Sequence, residues 1–216
     1  MLLKGTRSPI LQHCTLVPIL CAATIASLPD RVRADPLRDC EQPKDAPLAI
    51  RACSRLIADI PGIASLYNRR GIAYMRNGEA DLAIADYSEA IRLDPKAIEP
   101  YYNRGRALLD KSYYPRAISD LTEVITRNPK YALARNGRAW ALFKLGKMAA
   151  ALDDVEQAIV ADAGYAAAYD TRAHIYEALG RSEQAIADFR KALALDPQSP
   201  LAHITRDGLR RLGAQP

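Results

Sequence analysis

Apolar residues along the middle of this 216-residue chain recur on one face of a helix, with polar residues between them. Their spacing of i, i+3, i+4 and i+7 is typical of an amphipathic α-helix. One such stretch contains Tyr67, Gly71 and Tyr74, and the next contains Ala83, Tyr87 and Ala90. Gly78 stands between the two stretches, and glycine suits a tight turn because it tolerates positive φ. The pattern predicts two short helices joined by a turn.

The same pattern recurs every 34 residues, and a fixed period of this kind determines the architecture. The four predicted units are 64–97, 98–131, 132–165 and 166–199. Three of the four units end in Asp-Pro or Asn-Pro, which stops the second helix before the proline. A single helical hairpin cannot bury both of its apolar faces, but a stack of hairpins can. We therefore expect an all-helical stack.

Large and small side chains hold fixed places in each unit, and their order resembles the tetratricopeptide repeat (TPR). The first unit fills all seven signature positions of that family with Tyr67, Gly71, Tyr74, Ala83, Tyr87, Ala90 and Pro95. Later units depart mildly from the motif, with Val124 for a small residue, Arg135 for an aromatic one and Ala163 for proline. The resemblance covers about two thirds of the chain. It implies a right-handed α-solenoid of helix-turn-helix repeats.

Each unit also carries an arginine where the family usually has leucine, and an aspartate sixteen residues later. The arginines are Arg70, Arg104, Arg138 and Arg172, and the aspartates are Asp86, Asp120, Asp154 and Asp188. We interpret each pair as an ion pair that bridges the two helices of its unit, and partly buried pairs of this kind set register more than they add stability. The alternative is a row of arginines that binds a ligand.

Residues 1–34 differ from the rest and are typical of a secretory signal peptide. Two basic residues, Lys4 and Arg7, precede a 14-residue apolar run that is too short and too interrupted by Pro18 to predict a membrane span. Cleavage is expected after Ala34, with Ala26 as the alternative and an uncleaved membrane anchor as a third possibility. The protein is thus predicted to be an exported bacterial-type TPR protein, periplasmic or secreted.

Two cysteines remain after the leader, Cys40 and Cys53, and an oxidising compartment would pair them. Extending the 34-residue register backward makes 35–63 a degenerate leading repeat, or half-repeat, with its second helix over residues 47–60. Cys40 would then face that helix, and a disulfide would hold the N-terminal segment over the end of the stack. Two free buried thiols or a metal pair are the alternatives, but no neighbouring histidines complete a zinc site.

Residues 200–216 are predicted to form a C-terminal capping helix and tail. Leu201, Ile204, Leu209 and Leu212 recur at helical spacing and would face the last repeat. The remaining surface carries arginines and would face water, as the end of a solenoid requires.

Little in the sequence indicates catalysis. No HExxH, GxSxG or phosphate-binding glycine loop is present, so we expect no enzyme, no cofactor and no metal. Removing 1–34 takes four basic residues and one acidic residue, so the net charge falls from +5 to +2. The remaining basic residues alternate with acids at helical spacing, which does not indicate nucleic-acid binding.

The family resemblance implies that the first helix of each unit lines a concave groove that binds a protein or peptide. Carried onto this sequence, the main groove residues are Asn68, Arg69, Tyr102, Asn103, Arg106, Asn136, Trp140, Phe143 and Lys144. Asparagines could bond a peptide backbone, and Arg69 or Arg106 could hold a carboxylate. The alternative for Trp140 is packing in the core. The two-carboxylate clamp of some family members is not matched, because Tyr102 and Arg106 replace its lysine and asparagine.

We therefore predict a non-enzymatic interaction scaffold that binds a protein or peptide segment, within a cell-envelope assembly. Two other classes remain open. One is a structural module that forms homo-oligomers, with Tyr113 and Tyr114 at its contacts. The other is a small-ligand or glycan binder that uses Tyr102, Trp140 and Phe143 as a stacking platform. Membrane contact is expected only through an uncleaved leader.

Overall fold

The computed structural model describes residues 35–41 and 44–215, and every regular element in these ranges is an α-helix. The helices are α1 (Pro36–Cys40), α2 (Ala46–Asp59), α3 (Ala64–Arg76), α4 (Ala80–Leu93), α5 (Ile98–Asp110), α6 (Tyr114–Arg127), α7 (Ala132–Lys144), α8 (Met148–Ala161), α9 (Ala166–Ala178), α10 (Ser182–Leu195) and α11 (Ala202–Arg211). Within the described ranges, no helix combines the length and the apolar character needed to cross a membrane. The predicted leader lies outside the described residues.

Consecutive helices pack against one another along the chain, which gives an α-solenoid and confirms the predicted fold class. The helices from α3 to α10 alternate between 13 and 14 residues in length. The turn inside three of the hairpins contains a glycine with positive φ, at Gly78 (81°), Gly146 (74°) and Gly180 (71°). The fourth contains Ser112 at a φ of 60°.

Small residues lie where the two helices of a hairpin touch. A Cβ added at Gly71 would lie 2.6 Å from the ring of Tyr87, and one added at Gly105 would lie 3.0 Å from Leu121. Tyr87 and Leu121 are both buried. Close approach at these positions lets the large partner fill the space between the helices, so that each unit contributes one layer to a continuous core.

The repeated arginine and aspartate form bidentate ion pairs within each hairpin. Arg138 donates to both oxygens of Asp154, at 2.6 and 2.7 Å, and the other three pairs have the same geometry. The hydrogen bonds to aspartate raise the pKa of each arginine. Three of the arginines also donate to a hydroxyl on the preceding unit, at Ser54, Ser88 and Thr122. This network supports the structural interpretation, because the guanidinium groups are already occupied.

The N-terminal end of the solenoid is closed by α1 and α2, which a Cys40–Cys53 disulfide joins. Both cysteines are buried and pack with Ile57 and with Leu66 of α3. Asp35 and Asp45 cap the two helices by accepting hydrogen bonds from backbone N–H groups of the first turn. The disulfide therefore anchors the short α1 to the helix that packs on the first hairpin.

The C-terminal end is closed by α11, but the face that it buries differs from the prediction. Leu209 is buried, whereas Leu201 and Ile204 are 50% and 39% exposed. The buried face contains Ala202, Thr205, Gly208 and Leu209. A Cβ at Gly208 would lie 2.6 Å from Phe189, so the helix seats where its side chains are smallest. Leu201 and Ile204 lie beside the last repeat but are not buried against it, because helical spacing alone does not show which face approaches most closely.

Candidate functional site

Three cavities follow one another along the first helices of the hairpins, α3, α5, α7 and α9. The N-terminal cavity (about 370 Å³) lies between α1, α2 and α3, and the central cavity (about 390 Å³) lies between α3, α4 and α5. The C-terminal cavity (about 340 Å³) lies between α5, α7, α9 and α11. Ile72 and Arg76 line the first two cavities, and Arg106 and Asp110 line the last two. The three cavities together form one groove.

The predicted residues at the N-terminal end already contact other groups of the protein. Asn103 donates a hydrogen bond of 3.0 Å to Asn68 across two neighbouring helices. Arg69 forms an ion pair with Glu41, which follows α1 and lines the same cavity. The structure thus places Asn68 and Arg69 in the N-terminal cavity and Asn103 in the central one. Their polar groups would have to exchange partners to bind a ligand.

Tyr102 and Arg106 lie in the middle of the groove. The Tyr102 ring packs against Tyr131 with centroids 5.1 Å apart, and the Arg106 guanidinium lies 6.0 Å from the Tyr102 centroid. Burial raises the pKa of Tyr102 to about 12, so it stays a neutral phenol. Within the described residues, Arg106 has no carboxylate within ion-pair distance, and its side chain is exposed. It is therefore an exposed cation that lines the groove beside the Tyr102 ring.

Asn136 and Trp140 line the C-terminal cavity. The Asn136 side-chain N–H₂ donates to the hydroxyl of Tyr165 at 3.5 Å, and its buried Oδ1 has no hydrogen-bond partner among the residues that the structure describes. Trp140 packs between Phe143 (centroids 5.5 Å apart) and His174 (6.0 Å) and is half-buried. It therefore both contacts its neighbours and presents surface to the cavity.

Phe143 and Lys144 are not brought into the groove with the other predicted residues. Phe143 packs against the buried cluster around Val155, and the Lys144 ammonium lies 5.4 Å from the Trp140 ring. Neither residue lines any of the three cavities. Tyr102, Trp140 and Phe143 therefore do not share one open platform.

The prediction missed several groove residues whose signals were present in the repeat. Tyr165 lies just before α9 and repeats the place of Tyr131 before α7. Leu201 repeats the place of Leu133, which the same register would have shown if it had been extended into the capping segment. Glu41 had no such signal, because only the folded N-terminal segment brings it to Arg69.

Helical hairpins stacked in one register with a groove along their first helices define an α-solenoid repeat protein. Models of the TPR repeat and the tetratricopeptide repeat match residues 71–112, 102–168 and 166–199. The chain belongs to the tetratricopeptide repeat family, whose fold indicates a protein-interaction scaffold. No curated protein sequence matches it.

Solved TPR structures share this architecture. MamA is 27% identical with a TM-score of 0.65, over 71% of this chain and 90% of that one. YrrB, described as a TPR protein with an unusual peptide-binding site, is 20% identical with a TM-score of 0.62, over 75% of this chain and 84% of YrrB. TTC0263, a thermophilic TPR protein from Thermus thermophilus, is 19% identical with a TM-score of 0.63, over 76% of this chain and 91% of that one.

Proposed function

We propose that this protein is a non-enzymatic scaffold that binds an extended peptide or protein segment in the groove. The observation that carries the proposal is the continuity of the three cavities, which share lining residues along successive first helices. The successive side chains of an extended peptide need a row of subsites, whereas a compact ligand needs one pocket.

The chemistry of the groove supports a peptide. Arg106 offers a charge-assisted hydrogen bond to a carboxylate, and Trp140 offers an aromatic contact surface. Arginine and tryptophan are enriched among the residues that dominate protein-binding energies. Asn68 and Asn103 could exchange their mutual hydrogen bond for bonds to a peptide backbone.

Export to an oxidising compartment is part of the proposal, with the bacterial periplasm or cell envelope as the expected location. The Cys40–Cys53 disulfide supports this location, because disulfides persist in oxidising compartments and are rare in the cytosol. Sequencing the N-terminus of the cellular protein tests cleavage after Ala34 or Ala26. Export would be contradicted by a protein that still begins at Met1 and in which both Cys40 and Cys53 react with a thiol reagent after denaturation.

Site-specific photo-crosslinking tests the groove. A photoreactive amino acid placed at Leu133, in the groove, should capture the partner from an envelope extract. The same group at Val160, which is 80% exposed and outside the three cavities, should not. Combining the Trp140→Ala substitution with the photoreactive group at position 133 should reduce capture of the partner, while the helical circular dichroism stays unchanged. Equal capture from both positions would place binding elsewhere.

Homo-oligomerisation stays a separate prediction. Tyr113 is 46% exposed at a hairpin turn, while the hydroxyl of Tyr114 bonds to Ser112. Light scattering over a hundredfold range of protein concentration tests it, and a constant monomer mass would contradict it.

A further inference from the structure

We propose that the edge of the solenoid at its hairpin turns binds the surface of a membrane that carries anionic lipids. This turn edge consists of residues 111–116, 145–150 and 179–184, which hold the turns of the second, third and fourth hairpins. None of these residues lines the three cavities of the groove. The turn edge is therefore a second surface, and its membrane contact depends neither on peptide binding nor on the leader.

The 34-residue register places one cation and one large apolar residue at the same two positions of each of these turns. The pairs are Lys111 and Tyr113, Leu145 and Lys147, and Leu179 and Arg181. Consecutive hairpins pack directly against each other, so equivalent turns lie side by side. The three pairs consequently form one row along the edge of the solenoid.

The apolar members of the row are exposed to solvent. Tyr113, Leu145 and Leu179 are 46%, 40% and 39% exposed. A single exposed leucine needs no explanation, but an exposed apolar side chain in each of three successive turns forms a strip. Tyrosine is enriched where proteins meet the membrane–water interface, because its ring is apolar and its hydroxyl is polar. Side chains on protruding turns can enter the headgroup region of a bilayer, whereas a protein partner would need a matching hollow.

The charge of the turn edge is complementary to anionic headgroups. Its basic residues are Lys111, Arg116, Lys147 and Arg181, and its one acidic residue is Glu183, which gives a net charge of +3. The charges of the flanking residues Asp110 and Lys144 cancel. Basic residues near an anionic membrane surface attract the protein to it, and exposed apolar side chains strengthen this binding.

Most of these cations are available to a partner. Among the residues that the structure describes, no carboxylate lies within ion-pair distance of Arg116, Lys147 or Arg181, and all three are exposed. Lys111 is the exception, since its ammonium lies 2.9 Å from Asp81 of the first hairpin. The cations of the third and fourth turns therefore contribute most to the attraction.

The turn of the first hairpin shows that the fold does not require this chemistry. Asn77 and Glu79 hold the two positions there, and Asp81 adds a second negative charge. The backbone is nearly the same, with φ and ψ of −83° and 0° at Asn77 and of −92° and 6° at Leu145. Because a polar and an acidic residue fit the same turn, the cations and apolar side chains of the other three turns are not needed to form it.

The test is flotation of the protein, as the cell processes it, with lipid vesicles. The vesicles contain phosphatidylcholine alone or with about one third phosphatidylglycerol, which is anionic. The main variant transfers the residues of the first turn to the third and fourth turns, with Leu145→Asn, Lys147→Glu, Leu179→Asn and Arg181→Glu. Since the first turn already accepts these residues, the helical circular dichroism should stay unchanged.

The matched control is the double variant Lys96→Glu, Lys130→Glu, which changes the net charge by the same amount. Both lysines are exposed in loops that connect one hairpin to the next, at the opposite edge of the solenoid. The converse variant, Asn77→Leu and Glu79→Lys, extends the row by one turn. An environment-sensitive fluorescent amino acid at position 113, compared with one at position 160, reports whether the turn edge itself meets the lipid.

The protein should bind the anionic vesicles at least tenfold more strongly than the neutral ones, and about 0.5 M salt should reduce this preference by screening the charges. The transfer variant should lose the preference, the control should keep it, and the converse variant should increase it at least threefold. Fluorescence should shift to the blue at position 113 and stay unchanged at position 160, a difference that a membrane-inserted leader would not produce.

Equal binding to both kinds of vesicle, a preference that survives the transfer variant, or unshifted fluorescence at position 113 would overturn the inference. Binding to soluble polyglutamate that the transfer variant loses, without binding to vesicles, would assign the turn edge to an acidic protein and would also overturn it.

Discussion

At the scale of single residues, Ser112 adopts a backbone conformation that a residue with a side chain rarely takes. It adopts a φ of 60° at the turn where the other hairpins use glycine. A Cβ in the left-handed region meets the following carbonyl oxygen, which costs roughly 1–2 kcal/mol per residue. Tyr114 donates a hydrogen bond of 3.1 Å to the Ser112 hydroxyl and offsets part of this cost.

Ser112→Gly should therefore raise the free energy of unfolding by about 0.5–1 kcal/mol, because relief of this clash exceeds the extra entropy of unfolded glycine. Urea unfolding followed by circular dichroism measures it. The reverse change, Gly146→Ser, should lower the same quantity by a similar amount. A lower stability of Ser112→Gly would show that the hydrogen bond from Tyr114 dominates.

Tyr102 makes the free energy of unfolding depend on pH in the alkaline range. Burial raises its folded pKa from 10.0 to about 12, so the folded state holds the proton longer than the unfolded state does. Its contribution is present below pH 10 and is lost as the pH rises from 10 to about 12. Tyr102→Phe should make the unfolding free energy fall less steeply in that range, measured by urea unfolding at several pH values. Tyr113→Phe, at an exposed tyrosine, is the control, and equal slopes for the two variants would contradict the assignment.

At the scale of elements, the arginine–aspartate pairs join each hairpin to its neighbour. Arg138 on α7 bonds to Asp154 on α8 and to Thr122 on α6, so that one side chain spans three helices. Asp154 is only 1% exposed. A network that needs three helices at fixed positions defines how one repeat stacks on the next.

Asp154→Asn should lower the free energy of unfolding by about 2–3 kcal/mol, because it leaves a partly buried guanidinium without its charged partner. Asp153→Asn is the matched control, since the adjacent carboxylate is exposed. Thermal unfolding by calorimetry measures both variants. A loss below about 0.5 kcal/mol for Asp154→Asn would contradict a structural role for the pair, because that is the range expected of surface substitutions.

At the scale of the whole molecule, stability in a solenoid is distributed along one dimension, because each unit contacts only its neighbours. The ends have one neighbour each and need other support. The disulfide and α2 support the N-terminal end. At the other end, Thr205 bonds to Asp170, and Arg211 donates to both carboxylate oxygens of Glu177.

Reduction of the Cys40–Cys53 disulfide should loosen the N-terminal end and leave the far repeats unchanged. The bond closes a loop with a sequence separation of 13, and a loop of about 15 residues contributes roughly 3 kcal/mol in the chain-entropy model. Hydrogen exchange with and without a reductant should show faster exchange in α1 and α2 and no change in α9 and α10. A Cys40→Ser, Cys53→Ser double variant should not respond to the reductant. Faster exchange along the whole chain would show that the cap and the repeats open together.

The sequence by itself determined the repeat architecture of this protein. Helical spacing, the 34-residue period and the alternation of small and large residues act locally or between adjacent units, so they can be read along the chain. The arginine–aspartate pairs and the disulfide partners followed from the same register. Of the nine groove residues predicted, seven line the three cavities.

Only the tertiary structure decided how the ends complete the groove. Gly208 of α11 lies against Phe189, while Leu201 and Ile204 stay partly exposed and line the C-terminal cavity beside α9. The folded N-terminal segment brings Glu41 to Arg69, and packing moves Phe143 out of the groove. These outcomes depend on which helix faces approach most closely in space. The sequence pattern shows how residues are spaced along the chain, but it does not show the distance between packed helix faces.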